Sequence, residues 1–506
     1  MSLAPARQLK AALSSVLLLC AAYAAVLMVF GRFAQTDEAF FKTAGREWAL
    51  HGRFAAPELR GLFSLQPPVE RVFFAHPPLY PFGFGLFMTT FGFGWRTCVA
   101  YDVAIHIALV LLTFAIAYRL SATATAAALA ACMVLPLGTA SRPDELAMCF
   151  AMAAAWMLLG RPATSRRAAI AGLLLGLAAG ASTGAAIVIG FSVAVLLIAN
   201  GEPIRRRIAM LALCGTAAGL TLAAVVAPIL IAHPDAYHQY LGHAANYVGS
   251  HQWIADFRSA WRYGKGFIVF DGVCIAVGLA AFLTAERRFR KCVEWWLGAA
   301  FGLAFVLVLL PSKYTYLWFV GPWLAAACVA SLAAARPIWL RTAGSITLAI
   351  GWTFGAMGYA WQTVTMLTLP GEQRIAVCEK RVRDLVPEGA VVLAGEYWWT
   401  LGADHVVLDP TFADYDLSTV DYIVLTGNGT GKPGKAQALK APLADVAARE
   451  FVVVGDHLNR EPLTLFGRQL TRSAWGFGAV VMKNRRLPDA TFESASEPGS
   501  QGRSRG

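Results

Sequence analysis

Long uninterrupted apolar runs dominate this sequence and constrain its fold more than any other feature. A helix needs about 20 apolar residues to cross the hydrocarbon core of a bilayer, and most of the runs approach or reach that length. Hydrophobic residues make up 57% of the 506-residue chain and charged residues 15%, a composition that excludes an ordinary soluble protein. The runs predict a polytopic α-helical membrane protein with about eleven transmembrane helices, at 11–30, 98–118, 122–138, 145–159, 168–181, 183–199, 208–232, 267–284, 293–310, 314–333 and 342–366.

A twelfth apolar run, at 77–93, decides the topology. It contains Pro81 and three glycines, which lower helix propensity. If this run lies at the interface or re-enters without crossing, every basic cluster between the other runs faces the cytoplasm, as the positive-inside rule requires. The net charge of +12 is then a topology signal, and no nucleic-acid surface is predicted. This orientation puts 31–96, 233–266 and everything after 369 on the outer side.

The composition changes after the last span. Residues 1–369 form the predicted membrane module, including the first outer loop at 31–96, and residues 370–485 form a predicted small extracytoplasmic α/β domain. Residues 486–506 are mostly Ser, Gly, Glu and Arg and predict a disordered tail. In the α/β segment we expect a helix and four strands, at 375–386, 391–394, 406–408, 422–425 and 451–454.

Two adjacent carboxylates, Asp37 and Glu38, follow the first span directly. A carboxylate near the membrane surface is partly desolvated, which raises its basicity and suits it to general-base chemistry. Asp is also a good N-cap, so Asp37 could instead cap a helix that begins there. The two roles are compatible for the pair.

Three further motifs carry polar groups next to apolar runs. The segment His76-Pro77-Pro78-Leu79-Tyr80 opens the ambiguous run, so it is either a Pro-rich turn or a place where His76 meets an anionic group. Ser141-Arg142-Pro143-Asp144-Glu145 separates two spans, either as a simple Arg142–Asp144 pair or as a functional group of charges. Pro311-Ser312-Lys313-Tyr314-Thr315-Tyr316 puts a lysine on the outer side, against the positive-inside trend. Lys313 therefore either reaches lipid headgroups or binds an anionic partner.

In this order along residues 10–335, the four motifs resemble the GT-C class of glycosyltransferases. The closer likeness is to the protein mannosyltransferase and aminoarabinose transferase group. The resemblance implies an enzyme that moves a sugar, with inversion, from a polyprenyl-phosphate donor to an acceptor on the outer face. The acceptor is left open as a lipid, a glycan or a protein.

The resemblance also implies roles for particular residues. Asp37 would be the base, and Glu38 would hold the acceptor or orient the loop. His76 and Lys313 would contact the donor phosphate, with a further hydrogen bond from Tyr314 or Tyr316. Arg142 and Asp144, followed by Glu145, match the second acidic motif of the family, whose role varies between structural pairing and acceptor or metal contact. Some relatives have Lys in place of His76, and some have Arg where this chain has Phe40 and Phe41.

The sequence also gives expectations about cofactors, about location and about rival functions. No metal is predicted, because scattered acids do not form a ligand cluster, although a divalent cation is left open. The expected location is a bacterial inner membrane among membrane lipids, with the active site outside the cytoplasm. An oligosaccharide polymerase or ligase that uses a lipid-linked glycan is the main rival function. A lipid or sugar transporter or flippase is a weaker one, since no repeated halves are found.

Overall fold

The computed structural model describes most of the chain. The described residues are 3–31, 37–60, 65–137, 142–159, 164–198, 202–248, 253–285, 290–309, 320–394, 400–401, 406–408, 416–426, 441–458, 462–465, 468–474 and 477–488. Within them the protein is mainly helical, and a small sheet follows the last long helix.

Within the described residues, each apolar run predicted as a span contributes most of its length to a helix. The helices are α1 (Leu3–Phe30), α2 (Asp37–His51), α3 (Leu79–Phe91), α4 (Trp95–Ser121), α5 (Ala124–Val134), α6 (Pro143–Leu158), α7 (Ser165–Ala181), α8 (Thr183–Ile198), α9 (Ile204–Ala232), α10 (Tyr237–Val248), α11 (Trp253–Thr284), α12 (Arg290–Leu309), α13 (Gly321–Ala334), α14 (Ile338–Thr368), α15 (Ile375–Leu385) and α16 (Ala441–Glu450). Among the described residues, three segments are long and apolar enough to cross a bilayer, Ala6–Phe30, Trp95–Ser121 and Ile204–Ala232. The protein is therefore a helical membrane protein, and the count of eleven spans stays a prediction.

A mixed sheet follows the last long helix. The strands after this helix are β1 (Val391–Ala394), β2 (Val406–Leu408), β3 (Tyr422–Thr426), β4 (Phe451–Asp456), β5 (Pro462–Leu465), β6 (Arg468–Ala474) and β7 (Ala479–Asn484). The sheet has the strand order β2-β1-β3-β7-β4, with β1 parallel to β2 and β3, and β7 antiparallel to β3 and β4. The four predicted strands match β1 to β4, and a separate hairpin joins β5 to β6.

The ambiguous run at 77–93 forms the short helix α3. Its 13 residues are about 20 Å long, less than the hydrocarbon thickness of about 30 Å. That this run does not span the bilayer stays a prediction. Helix α3 packs closely against α2 because glycines meet at the crossing. A Cβ on Gly45 would clash with the Pro81 carbonyl oxygen, and one on Gly85 would lie 2.6 Å from the Gly45 carbonyl oxygen.

Two tryptophans join α12 to α13. The rings of Trp295 and Trp323 stack with centroids 3.5 Å apart and planes 3° from parallel. Each indole N–H donates to the other residue's backbone carbonyl at 3.0 Å. Both side chains are fully buried, so stacking and hydrogen bonding hold the two helices together in the core.

Candidate active site

A buried charged cluster lies where α2, α3 and α4 meet. Lys42, which has no exposed side-chain surface, places its Nζ 2.7 Å from Glu38 Oε1 and 2.5 Å from Asp102 Oδ2. It also donates to the backbone carbonyl of Cys98 at 3.2 Å. The Tyr80 hydroxyl donates to the other oxygen of Asp102 at 2.6 Å. One lysine therefore ties the first turn of α2 to α4, while the tyrosine ties α3 to the same carboxylate.

The sequence around α2 explains this arrangement. Glu38 and Lys42 are four residues apart and so share one face of the helix. Glu38 stands in the first turn, where the helix dipole favours a negative charge. The three hydrogens of the Lys42 ammonium match its three acceptors. All the charged groups are buried and hydrogen-bonded, which lowers the cost of burying them.

His76 lies in a cradle of aromatic rings beside the cluster. Its ring meets Phe41 edge-on at a centroid distance of 4.8 Å and Phe40 at 5.0 Å, and it lies 4.6 Å from the ring of His243 on α10. Burial lowers the pKa of His76 well below its usual 6.5, and the nearby His243 and Arg142 lower the pKa further. Among the described residues its buried Nε2 has no hydrogen-bond partner. His76 is thus a neutral imidazole at pH 7.

The Arg142 motif approaches the same aromatic group from α6. The Arg142 guanidinium lies over the Phe41 ring, 5.5 Å from its centroid. Its Nε donates to Asp144 Oδ2 at 3.0 Å, and Asp144 Oδ1 accepts from Ser182 Oγ at 2.6 Å. The simple Arg142–Asp144 pair considered from the sequence is therefore present, and the same arginine also contacts the ring that packs on His76.

Glu145 points elsewhere. It is buried, and its Oε1 lies 3.5 Å from Nδ1 of His106 on α4. His106 in turn contacts the Leu135 carbonyl through Nε2 at 2.9 Å. Of the second acidic motif, Arg142 and Asp144 lie beside the His76 cradle, whereas Glu145 bonds within the helix bundle.

Several expected site residues fall outside what the structure describes. Asp37 is the first residue of α2, but its side chain lies outside the described residues, as do Lys313, Tyr314 and Tyr316. Three of the four motifs are nevertheless brought to one place. His76 packs on Phe40 and Phe41, which follow Glu38 in α2, and Arg142 lies over Phe41.

The sequence interpretation did not include Lys42, Asp102, His243 or Ser182. Two of them had a usable signal. Asp102 is an acid near the start of the run at 98–118, and a charge among apolar residues is usually paired or functional. Lys42 stands four residues after Glu38, the spacing of a helical ion pair. Among the described residues, no group of three or more His, Cys, Asp or Glu side chains is arranged to hold a metal ion.

Comparison with known proteins identifies the fold. Neither protein families nor curated proteins give a match to the sequence. Among solved structures, ArnT from Cupriavidus metallidurans, crystallised with undecaprenyl phosphate, aligns over 93% of this chain and 97% of its own, with a TM-score of 0.59 and 13% identity. Arabinofuranosyltransferase AftD from Mycobacteria aligns with 92% of this chain and 40% of its own, with a TM-score of 0.47 and 16% identity. The likeness to ArnT shows that this chain has a GT-C-like glycosyltransferase fold.

Proposed function

We propose that this protein is an inverting glycosyltransferase that moves a sugar from a polyprenyl-phosphate donor to an acceptor on the outer face of the membrane. The observation that carries the proposal is the meeting of the first turn of α2, His76 and Arg142 around one aromatic group, within a fold shared with ArnT along almost the whole chain. ArnT was crystallised with undecaprenyl phosphate, which supports a donor of the same lipid class here.

The chemistry needs a base, a phosphate site and a means of holding both. We assign the base to Asp37, which takes the proton of the acceptor hydroxyl as that oxygen attacks the anomeric carbon. The bond from this carbon to the phosphate oxygen breaks on the opposite face, so the configuration inverts and the polyprenyl phosphate leaves as an anion. Arg142 and Lys313 would stabilise the negative charge on the departing phosphate.

His76 takes a specific part in this proposal. Its lowered pKa keeps the ring neutral, so it would donate one N–H to a phosphate oxygen and supply no charge. Phe40 and Phe41, which stand where some relatives have Arg, pack on the ring and hold its orientation. The charge for phosphate binding would then come from Arg142 and Lys313.

Glu38 has a different proposed role. Its carboxylate is 4% exposed and bonded to Lys42, which favours orienting the loop over holding an acceptor. Through Lys42 and Asp102 it would fix the start of α2, where Asp37 stands. We place this site and the α/β segment after 369 on the outer side of a bacterial inner membrane, in accordance with the basic clusters of the opposite loops.

The test is sugar transfer by the purified protein in detergent. Radiolabelled polyprenyl-phosphate sugars are offered as a donor panel with native lipid and protein extracts as acceptors, for wild type, Asp37→Asn and Asp384→Asn. Asp384 is an exposed acid of α15 and serves as the matched control. We expect label transfer by wild type and Asp384→Asn, and a rate at least about a hundredfold lower for Asp37→Asn, the usual effect of losing a general base.

The outcomes separate the parts of the proposal. Absence of transfer from any donor by folded protein would overturn the function and favour a polymerase, ligase or transporter. Full activity of Asp37→Asn would leave the glycosyltransferase standing and remove Asp37 as the base. Anomeric analysis of the product tests inversion.

A further inference from the structure

A cavity of about 570 Å³ opens between α9, the C-terminal end of α2 and the N-terminal end of α3. Its size lies in the range of ligand pockets, about 300–1,000 Å³. Trp48, on its wall, is 11 residues beyond Asp37, which corresponds to about 17 Å along the axis of α2. Pro78 and Leu79, which follow His76 closely in the chain, also line the cavity. The cavity therefore adjoins the candidate site and extends toward the end of α2 that is far from Asp37.

The interior of the cavity is apolar. One wall is a single face of α9. Its residues stand at positions i, i+1, i+4, i+5 and i+8 of the helix, and they are Ala224, Val225, Pro228, Ile229 and Ala232. The facing wall carries Trp48 and Phe82, whose rings are 4.3 Å apart. Such walls fit a hydrocarbon chain.

Basic side chains surround the apolar interior. Arg53, Arg71 and His233 all line the cavity. The side chains of Arg53 and Arg71 are 69% and 60% exposed; the first bonds to Glu47 at 2.5 Å, and the second lies 3.7 Å from Asp235. His233 has a buried Nδ1 with no hydrogen-bond partner among the described residues. An anionic group at this position would meet both guanidinium groups.

The α9 wall contains a proline, since Pro228 lies inside this helix and lines the cavity. Other side chains of α9 are exposed on the protein surface that would face the bilayer, since Leu220 is 67% and Ile231 79% exposed.

We propose that this cavity binds an anionic phospholipid from the surrounding bilayer. An acyl chain lies along α9, and the phosphate lies at Arg71 and Arg53, with His233 available to the polar head. In this proposal the occupant is a bilayer phospholipid and not the sugar donor, because Arg53 follows the end of α2 that is far from Asp37. The proposal is independent of the glycosyltransferase function, and it requires no reaction.

The test is photolabelling of the full chain in phosphatidylcholine nanodiscs that contain phosphatidylglycerol with a diazirine in its acyl chain. We expect labelled peptides from 224–232, and less label there in Ala224→Phe, which fills the cavity. Ala223→Phe is the matched control, because Ala223 is an exposed neighbour on α9 that does not line the cavity. Arg71→Gln should lower labelling about fivefold, the effect of one basic residue at an anionic surface, while Arg96→Gln, an exposed arginine away from the cavity, should not.

Other results would overturn the proposal. Equal labelling by a diazirine phosphatidylcholine would show that the anionic head is not recognised. Displacement of the label by undecaprenyl phosphate would assign the cavity to the donor class. Unchanged labelling of both Ala224→Phe and Ala232→Phe would remove the cavity as the binding place. Size-exclusion profiles identify any variant that fails to fold, and Ala232→Phe then replaces Ala224→Phe.

Discussion

Replacement of Lys42 by Met should destabilise the protein strongly. Methionine has a similar length but no charge, so the variant leaves the carboxylates of Glu38 and Asp102 buried without the cation that lies 2.7 and 2.5 Å away in wild type. Removing one partner of a buried ion pair costs about 3–5 kcal/mol, mainly because a charge is left uncompensated. We expect the free energy of unfolding to fall by this amount.

A triple variant separates charge from packing. Lys42→Met combined with Glu38→Gln and Asp102→Asn removes every formal charge of the cluster and keeps its shape. Because the cost lies in the stranded carboxylates, the triple variant should regain more than half of the lost stability. Thermal unfolding in detergent, followed by tryptophan fluorescence, measures the midpoints, and Lys42→Met should lower the midpoint by several degrees. Lys10→Met, at an exposed lysine of α1, should change the stability by less than about 0.5 kcal/mol.

Two results would refute the reasoning. If Lys42→Met unfolds at the wild-type midpoint, the ammonium does not hold the three helices together. If the triple variant is no more stable than Lys42→Met, the loss comes from packing and not from the charges. Sugar transfer gives an independent readout, since a positioning role for Lys42 predicts a lower kcat with a smaller change in KM for the donor.

Three other predictions follow from the described contacts. Burial raises the pKa of Glu58 from 4.5 to about 7 despite its pairing with Arg46. The folded state therefore binds the carboxyl proton of Glu58 more tightly than the unfolded state does, and the free energy of unfolding falls as pH rises from about 4.5 to 7. Thermal midpoints at pH 5 and 8 should therefore differ more in wild type than in Glu58→Gln, and equal differences would contradict the assignment. Gly45→Ala, whose Cβ would meet the Pro81 carbonyl, should lower the free energy of unfolding by about 1–3 kcal/mol. Gly184→Ala, where a Cβ meets open space, should lower it by less than about 1 kcal/mol. Similar unfolding midpoints for the two variants would count against the close crossing of α2 and α3. Trp295→Phe removes one buried hydrogen bond and should lower the free energy of unfolding by about 1–3 kcal/mol, which chemical denaturation can measure.

The helices were largely predictable because their signal is local. The described part of each apolar run is mainly helical, since a backbone in hydrocarbon must satisfy its own hydrogen bonds. The first four strands were equally visible as short apolar stretches between turn residues. The strands β5 and β6 were not, because Arg468–Ala474 is mostly polar and its pairing depends on a neighbouring strand.

The candidate site was only partly predictable for a related reason. The Asp37, His76 and Arg142 motifs stand out from their apolar surroundings, and chain order suggested that they meet. Which groups pair inside the site depends on helix rotation and crossing, which composition does not determine. The sequence therefore left two roles open for Glu38, and only the geometry shows that its carboxylate pairs with Lys42.

The stacked indoles of α12 and α13 have an optical consequence. Aromatic rings 3.5 Å apart and nearly parallel have electronic transitions that couple, and the coupling weakens steeply as the rings separate. Since Trp295 and Trp323 come from different helices, their exciton signal in near-ultraviolet circular dichroism exists only while the two helices are assembled. The protein thus carries an internal, label-free spectroscopic ruler for choosing detergents and lipids that preserve its native helix packing.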